Sequence, residues 1–162
     1  MNMKRGFKMN ICKYKETSTF HFHNANPKGK NANDCVARAI SVALSQSWED
    51  TIREMTELGI KLGYAFNEDK LIAQYLKEKG WERYPEPRDL NNKKITVNQF
   101  INKHGNNKGV IIAKVGSHHL SLIIDGVLWD TWDCTNNTMH AYWRNSNITV
   151  IKTQSKKERV EL

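Results

Sequence analysis

Around Gly109 the apolar residues of this chain change their spacing, and that change limits the folds open to it. Upstream, apolar positions recur every three to four residues, the period of a helix with one buried face. Downstream they gather into short runs, GVIIAKV, HLSLIID and VLWDTW, rich in the branched and aromatic residues that strands favour. Helices followed by strands predict an α+β domain, with N-terminal helices packed on a C-terminal antiparallel sheet.

The helical half resolves into separate elements. In CVARAISVALS, Val36, Ala39, Ile40, Ala43 and Leu44 share one face of a helix that begins near Cys35, with Asn33 as its cap. Ser47 caps a second helix that runs through Leu62 to Gly63. Asn67 caps a third in NEDKLIAQYLKEKG, with acids in its first turn, lysines in its last and Gly80 as its stop. Pro85 and Pro87 mark a loop. Thr96 and Gln99 then form a capping box before a short helix carrying Phe100 and Ile101. Residues 1–23 read as an N-terminal extension in which TFHFH is a short strand, and NPKGKNAND is a loop of turn formers. The domain spans 24–152, with NITVIK as a last strand, and 153–162 form a flexible basic tail.

At 162 residues the chain is long enough for one core. No apolar run approaches the roughly 20 residues that span a bilayer, and the N-terminus has no apolar signal region. A cytoplasmic protein with no membrane partner is expected. Cys12, Cys35 and Cys134 are too few and too scattered for a disulfide framework, and in that compartment thiols stay reduced. The net charge of +8 raises the question of nucleic acid. The lysines are spread along the chain rather than clustered, so a protein or peptide partner fits better. Nothing in the sequence fixes the oligomeric state.

The stretch SHHLSLIIDGVLWDTWDC carries the most chemistry. If Asp125-Gly126 is a two-residue type I′ loop, Ile124 pairs with Val127, Ser121 faces Asp130 and His119 faces Trp132. Alternation then puts His119, Ser121 and Asp130 on one face, His119 and Asp130 being diagonal neighbours. His118 falls on the other face opposite Asp133. The hairpin thus offers two His–Asp pairs, and its geometry does not choose between them.

A carboxylate that orients a histidine is half of a nucleophilic site. Cys35 is the best nucleophile, because free N–H groups at a helix start favour a thiolate. Asp34, adjacent in sequence, opposes this unless its side chain turns away.

Together, NPKGKNANDCVARAISVAL, the helix opening SWEDT and the late HLSLIIDGVLWDTWD resemble the small papain-like cysteine-peptidase-fold proteins of bacteriophages and prophages. The likeness covers about residues 24–145. It matches that family at Asn26, Pro27, Gly29, Asp34, Cys35, Val36, Arg38, Ala39 and Ile40, then at His119, Leu120, Asp125, Gly126, Asp130, Thr131, Trp132 and Asp133. Ser47 stands where that pattern usually has Gly.

The resemblance implies a papain-like fold and a Cys35–His119–Asp130 triad. It selects His119 over His118 and Asp130 over Asp133, leaving His118 as a strand end and Asp133 as a turn former. It makes Trp132 a cleft wall that touches substrate, with Tyr64 and Phe66 as further walls. A second oxyanion donor is expected from an upstream amide, and Asn26 is the choice within the matching segment, with Asn31 and Asn33 also available. The implied activity is thiol hydrolysis of a peptide or isopeptide bond through a thioester, with no cofactor. The same fold used without catalysis to bind a host defence factor, and a cell-wall amidase, are the other readings. A zinc site from Cys12, His21, His23 and Cys35 matches no standard ligand spacing, so no metal is expected.

Overall fold

Ser45, with φ of 54°, ends one helix and Ser47 starts the next in the computed structural model, which describes residues 16–104 and 109–145. Helix α1 spans Cys35–Leu44 and α2 spans Trp48–Leu62. Ser47 accepts a hydrogen bond from the Asp50 N–H, and Gly63 closes α2 with φ of 75°. Helix α3 (Asp69–Glu78) begins one residue later than its sequence pattern predicts, with Glu68 rather than Asn67 at the cap position. Helix α4 (Val97–His104) opens on the expected capping box: the Gln99 N–H donates to Thr96 Oγ1 and the Thr96 N–H donates to Gln99 Oε1.

Among the described residues six strands form one sheet. They are β1 (Phe20–Phe22), β2 (Glu82–Tyr84), β3 (Val110–Val115), β4 (His119–Ile124), β5 (Val127–Asp130) and β6 (Met139–Arg144), in the order β1-β5-β4-β3-β6-β2. The fold is α+β, but the sheet is mixed rather than antiparallel, because β1 pairs parallel with β5. Hydrophobic spacing marks a strand; it does not fix the direction of a strand whose partner lies about a hundred residues away. The rest of the sheet is antiparallel.

Strand β6 lies in a segment without an element expected from sequence. Its residues Met139, Ala141 and Trp143 are buried, while His140, Tyr142 and Arg144 are half-buried, a two-residue alternation that MHAYWR carries openly. Strand β2 is a three-residue edge strand beside Pro85, too short for a pattern to reveal it. The expected strand NITVIK, the tail at 153–162 and Cys12 lie outside the described residues.

The sheet separates two cores. On one face Ile112, Leu120, Leu122 and Trp143 pack with Ile40 of α1, Met55 of α2 and Leu71 and Leu76 of α3. On the other, Ile111, Ile123, Leu128 and Met139 pack with Phe100 of α4 and with Phe20 of β1. Burying side chains of this size contributes about 1.5–3 kcal/mol each. No described helix is long and apolar enough to cross a membrane.

Candidate active site

Asp125 and Gly126 both take positive φ, 49° and 81°, as a type I′ turn requires. The turn therefore fixes Ile124 opposite Val127, Ile123 opposite Leu128 and Leu122 opposite Trp129. Strand β4 begins at His119 and antiparallel β5 ends at Asp130, so both residues stand at one end of the sheet. His119 Nε2 lies 2.6 Å from Asp130 Oδ2. His118 remains exposed at the turn before β4, and Asp133 Oδ1 accepts from the Thr135 N–H and hydroxyl instead. Of the two His–Asp pairs that the hairpin offered, the structure forms the first.

The other Asp130 oxygen accepts from the Thr131 N–H at 2.7 Å and lies 3.7 Å from Arg38 Nη2. Arg38 belongs to α1, and its Nη1 pairs with Asp34. Asp34 Oδ2 also accepts from Asn26 Nδ2 at 2.8 Å and from Trp48 Nε1 at 3.1 Å. One buried carboxylate thus ties the loop before α1, α1 itself and α2 together. Its charge is matched by Arg38 rather than set against Cys35.

Asp34, not Asn33, occupies the cap position of α1, yet its side chain makes no cap hydrogen bond. The first helical backbone bond runs from the Arg38 N–H to the Asp34 carbonyl. Cys35 is the first residue of α1, where the helix dipole favours a thiolate. Burial alone would raise the Cys35 thiol. The His119 hydrogen bond, a hydrogen bond from the Leu120 backbone and the charges of His119 and Arg38 outweigh it, holding the thiol below its ordinary value.

For His119 burial disfavours the cation. Hydrogen bonds with Asp130, Cys134 and Cys35, together with the Asp130 charge, overcome this and push its pKa up to about 11. With Nε2 held by Asp130, Nδ1 is the nitrogen left for the thiols. Both shifts favour a thiolate–imidazolium pair oriented by a carboxylate.

Trp132 lies against the imidazole, ring centroids 5.1 Å apart, and packs toward the core of the α4 face. It shields the His119–Asp130 bond; it is not among the residues lining the cleft. That cleft, about 610 Å³, opens between Cys35 and His119 on one side and the start of α3 on the other. Val36, Ile72, Leu120 and Trp143 give it apolar walls, while Asn33, Asn67, Asp69, Lys114 and His118 supply polar ones. Neither Tyr64 nor Phe66 is among these walls.

Asn26 has a different task from the one the sequence implied. Its side chain is buried, its amide donates to Asp34, and its Oδ1 accepts from the Lys28 N–H. Asn33, freed from capping, is exposed and borders the cleft beside Cys35.

The sequence also left Cys134 without a partner. It is buried under His119, where desolvation raises its thiol above the ordinary value despite the imidazole, so it stays protonated. His119, Asp130 and Cys134 bring one donor atom each within 4.8 Å of one another and could hold a metal ion. A metal there would have to displace the His119–Asp130 bond. His21 and His23 instead pack on Trp129, with centroids at 4.3 and 5.3 Å, and His21 pairs with Glu16 at 3.0 Å.

No family model, curated protein or solved structure matches this chain. Its chemistry therefore has to be read from its own residues.

Proposed function

We propose that the protein is a papain-like thiol hydrolase that cleaves a peptide or isopeptide bond. The observation that carries this reading is His119, paired with Asp130 at 2.6 Å and sharing a cleft with Cys35, the first residue of α1, whose thiol it helps to lower. The order of the three residues, nucleophile on an early helix and His then Asp on later strands, supports the papain-like assignment.

In this mechanism the Cys35 thiolate attacks the acyl carbon, and the carbonyl oxygen takes the negative charge. In this reading the Cys35 backbone N–H and the amide of Asn33, which is exposed at the cleft, receive it. Collapse breaks the C–N bond as His119 passes its Nδ1 proton to the leaving amine, which leaves a thioester on Cys35. Neutral His119 then takes a proton from water, the hydroxide adds to the thioester, and the acid departs as the thiolate reforms beside imidazolium. Asp130 holds the ring through both halves, with Trp132 covering their bond.

The test is turnover of a proteome-derived peptide library, with intact-mass trapping of the acyl-enzyme. Wild type should cleave and carry the acyl group on Cys35, and Cys35→Ala should do neither. Cleavage that survives Cys35→Ala would overturn the reading.

A further inference from the structure

Lys114 is a wall of the cleft, and its side chain is only 16% exposed. Its ammonium pairs with Asp69, the first residue of α3, whose side chain is 69% exposed. The two partners are unequally bound to each other. Asp69 keeps water and the N-terminal end of a helix if the pair opens, and such solvated pairs are worth at most about 1 kcal/mol. Lys114 stays in the wall, and its charge then faces the cleft.

Asn33 adds an exposed amide to the same space, while the His119 imidazolium is balanced by Asp130 and the Cys35 thiolate. Among the described residues Asp69 is the one acid lining the cleft, and it is already spent on Lys114. When Asp69 turns to water, Lys114 is left as the uncompensated charge of the cleft wall, and such a wall is complementary to an anion.

We infer that the cleft selects acidic acyl substrates: Lys114 exchanges Asp69 for the carboxylate of an Asp or Glu side chain close to the bond that Cys35 attacks. The inference rests on the reading of Cys35 as the cleft's nucleophile. The overall charge of +8 acts in the same direction by drawing anionic substrates to the protein.

The test uses two small alkylating agents of nearly equal size, anionic iodoacetate and neutral iodoacetamide. Their rates at Cys35 are read by peptide mass spectrometry on the native full chain at low ionic strength. The ratio of the two rates reports the field of the cleft, whatever the absolute reactivity of the thiol. Lys114→Met should lower the iodoacetate-to-iodoacetamide ratio about fivefold, and Asp69→Asn should raise it by a similar factor. Lys114→Arg should keep the wild-type ratio. A ratio unmoved by Lys114→Met overturns the proposal. Should that variant fail to fold, a ratio that does not rise in Asp69→Asn, an exposed substitution, overturns it instead. Slow alkylation by both reagents, with a ratio that still follows Lys114, would remove the thiolate reading and leave the anion subsite standing.

Discussion

His119 and Asp130 meet across two antiparallel strands at 2.6 Å, the first residue of β4 against the last of β5. The two-residue turn at the far end of the hairpin sets this contact, because every pair along the ladder inherits its register from Ile124 opposite Val127. The ring nitrogen facing Cys35 is therefore decided by the turn as much as by the carboxylate.

Asp130→Asn keeps the size of the side chain and removes its charge. The imidazolium loses its strongest support, the thiolate fraction of Cys35 falls, and alkylation at pH 6 should slow about 10- to 100-fold. The fold should survive, because the oxygen of the introduced amide can still accept from the Thr131 N–H. Alkylation kinetics with a circular dichroism control check this. An unchanged rate at pH 6 would mean that Asp130 only braces the sheet end.

The pH profile follows from the two shifts. Cys35 lies below its ordinary 9.0 and His119 rises from 6.5 to about 11, so the two shifts together favour the ion pair. Cys35 alkylation should already be fast well under pH 9, with no rise through the ordinary thiol range. Cys134, held above 9.0 by burial, should react only on unfolding. Stability has its own signature. Between about pH 9 and 11 the unfolded pair has lost both protons while the folded pair keeps one on His119, so folding binds a proton and stability falls as pH rises. Chemical denaturation across that range should show a shallower fall in His119→Ala than in wild type, the remainder coming from Cys134 and Tyr75, whose folded states also hold their protons.

Asn33 and Asn26 are separated by what each holds. Asn33→Ala removes an exposed amide bordering the cleft. It should slow acylation by p-nitrophenyl acetate about 100-fold and leave the melting temperature unchanged. Asn26→Ala takes one donor from buried Asp34. It should cost about 1–3 kcal/mol of stability, read by urea denaturation. The reverse outcome would return the oxyanion role to Asn26.

Much of this site is local enough to read from sequence. The Asp125-Gly126 turn fixes register within a dozen residues, and Cys35 marks the start of a helix whose apolar face is explicit. The alternation in MHAYWR was equally readable as β6. What stays hidden depends on distant partners. The direction of β1 is set by β5 about a hundred residues on, Lys114 meets Asp69 across the cleft, and Cys134 is brought under His119 by the chain after β5. Capping misleads for a related reason. Asn33 is as good an intrinsic cap, but Asp34 takes the position because Arg38, Asn26 and Trp48 converge on its carboxylate.

That carboxylate is the joint most exposed to mutation. Arg38 and Asp34 are both buried, an i,i+4 pair inside the structure rather than on its surface. Arg38→Met leaves Asp34 charged, desolvated and supported only by neutral donors, and takes a cation from beside Asp130. The loss should be about 3–5 kcal/mol. Adding Asp34→Asn removes the stranded charge and should recover part of that loss, so the two substitutions together should cost less than their sum. Urea denaturation of the four proteins in the cycle measures it. Additive losses would show that the pair is only a neighbour contact; a recovery accompanied by slow Cys35 alkylation would show that Arg38 also acts on the thiol.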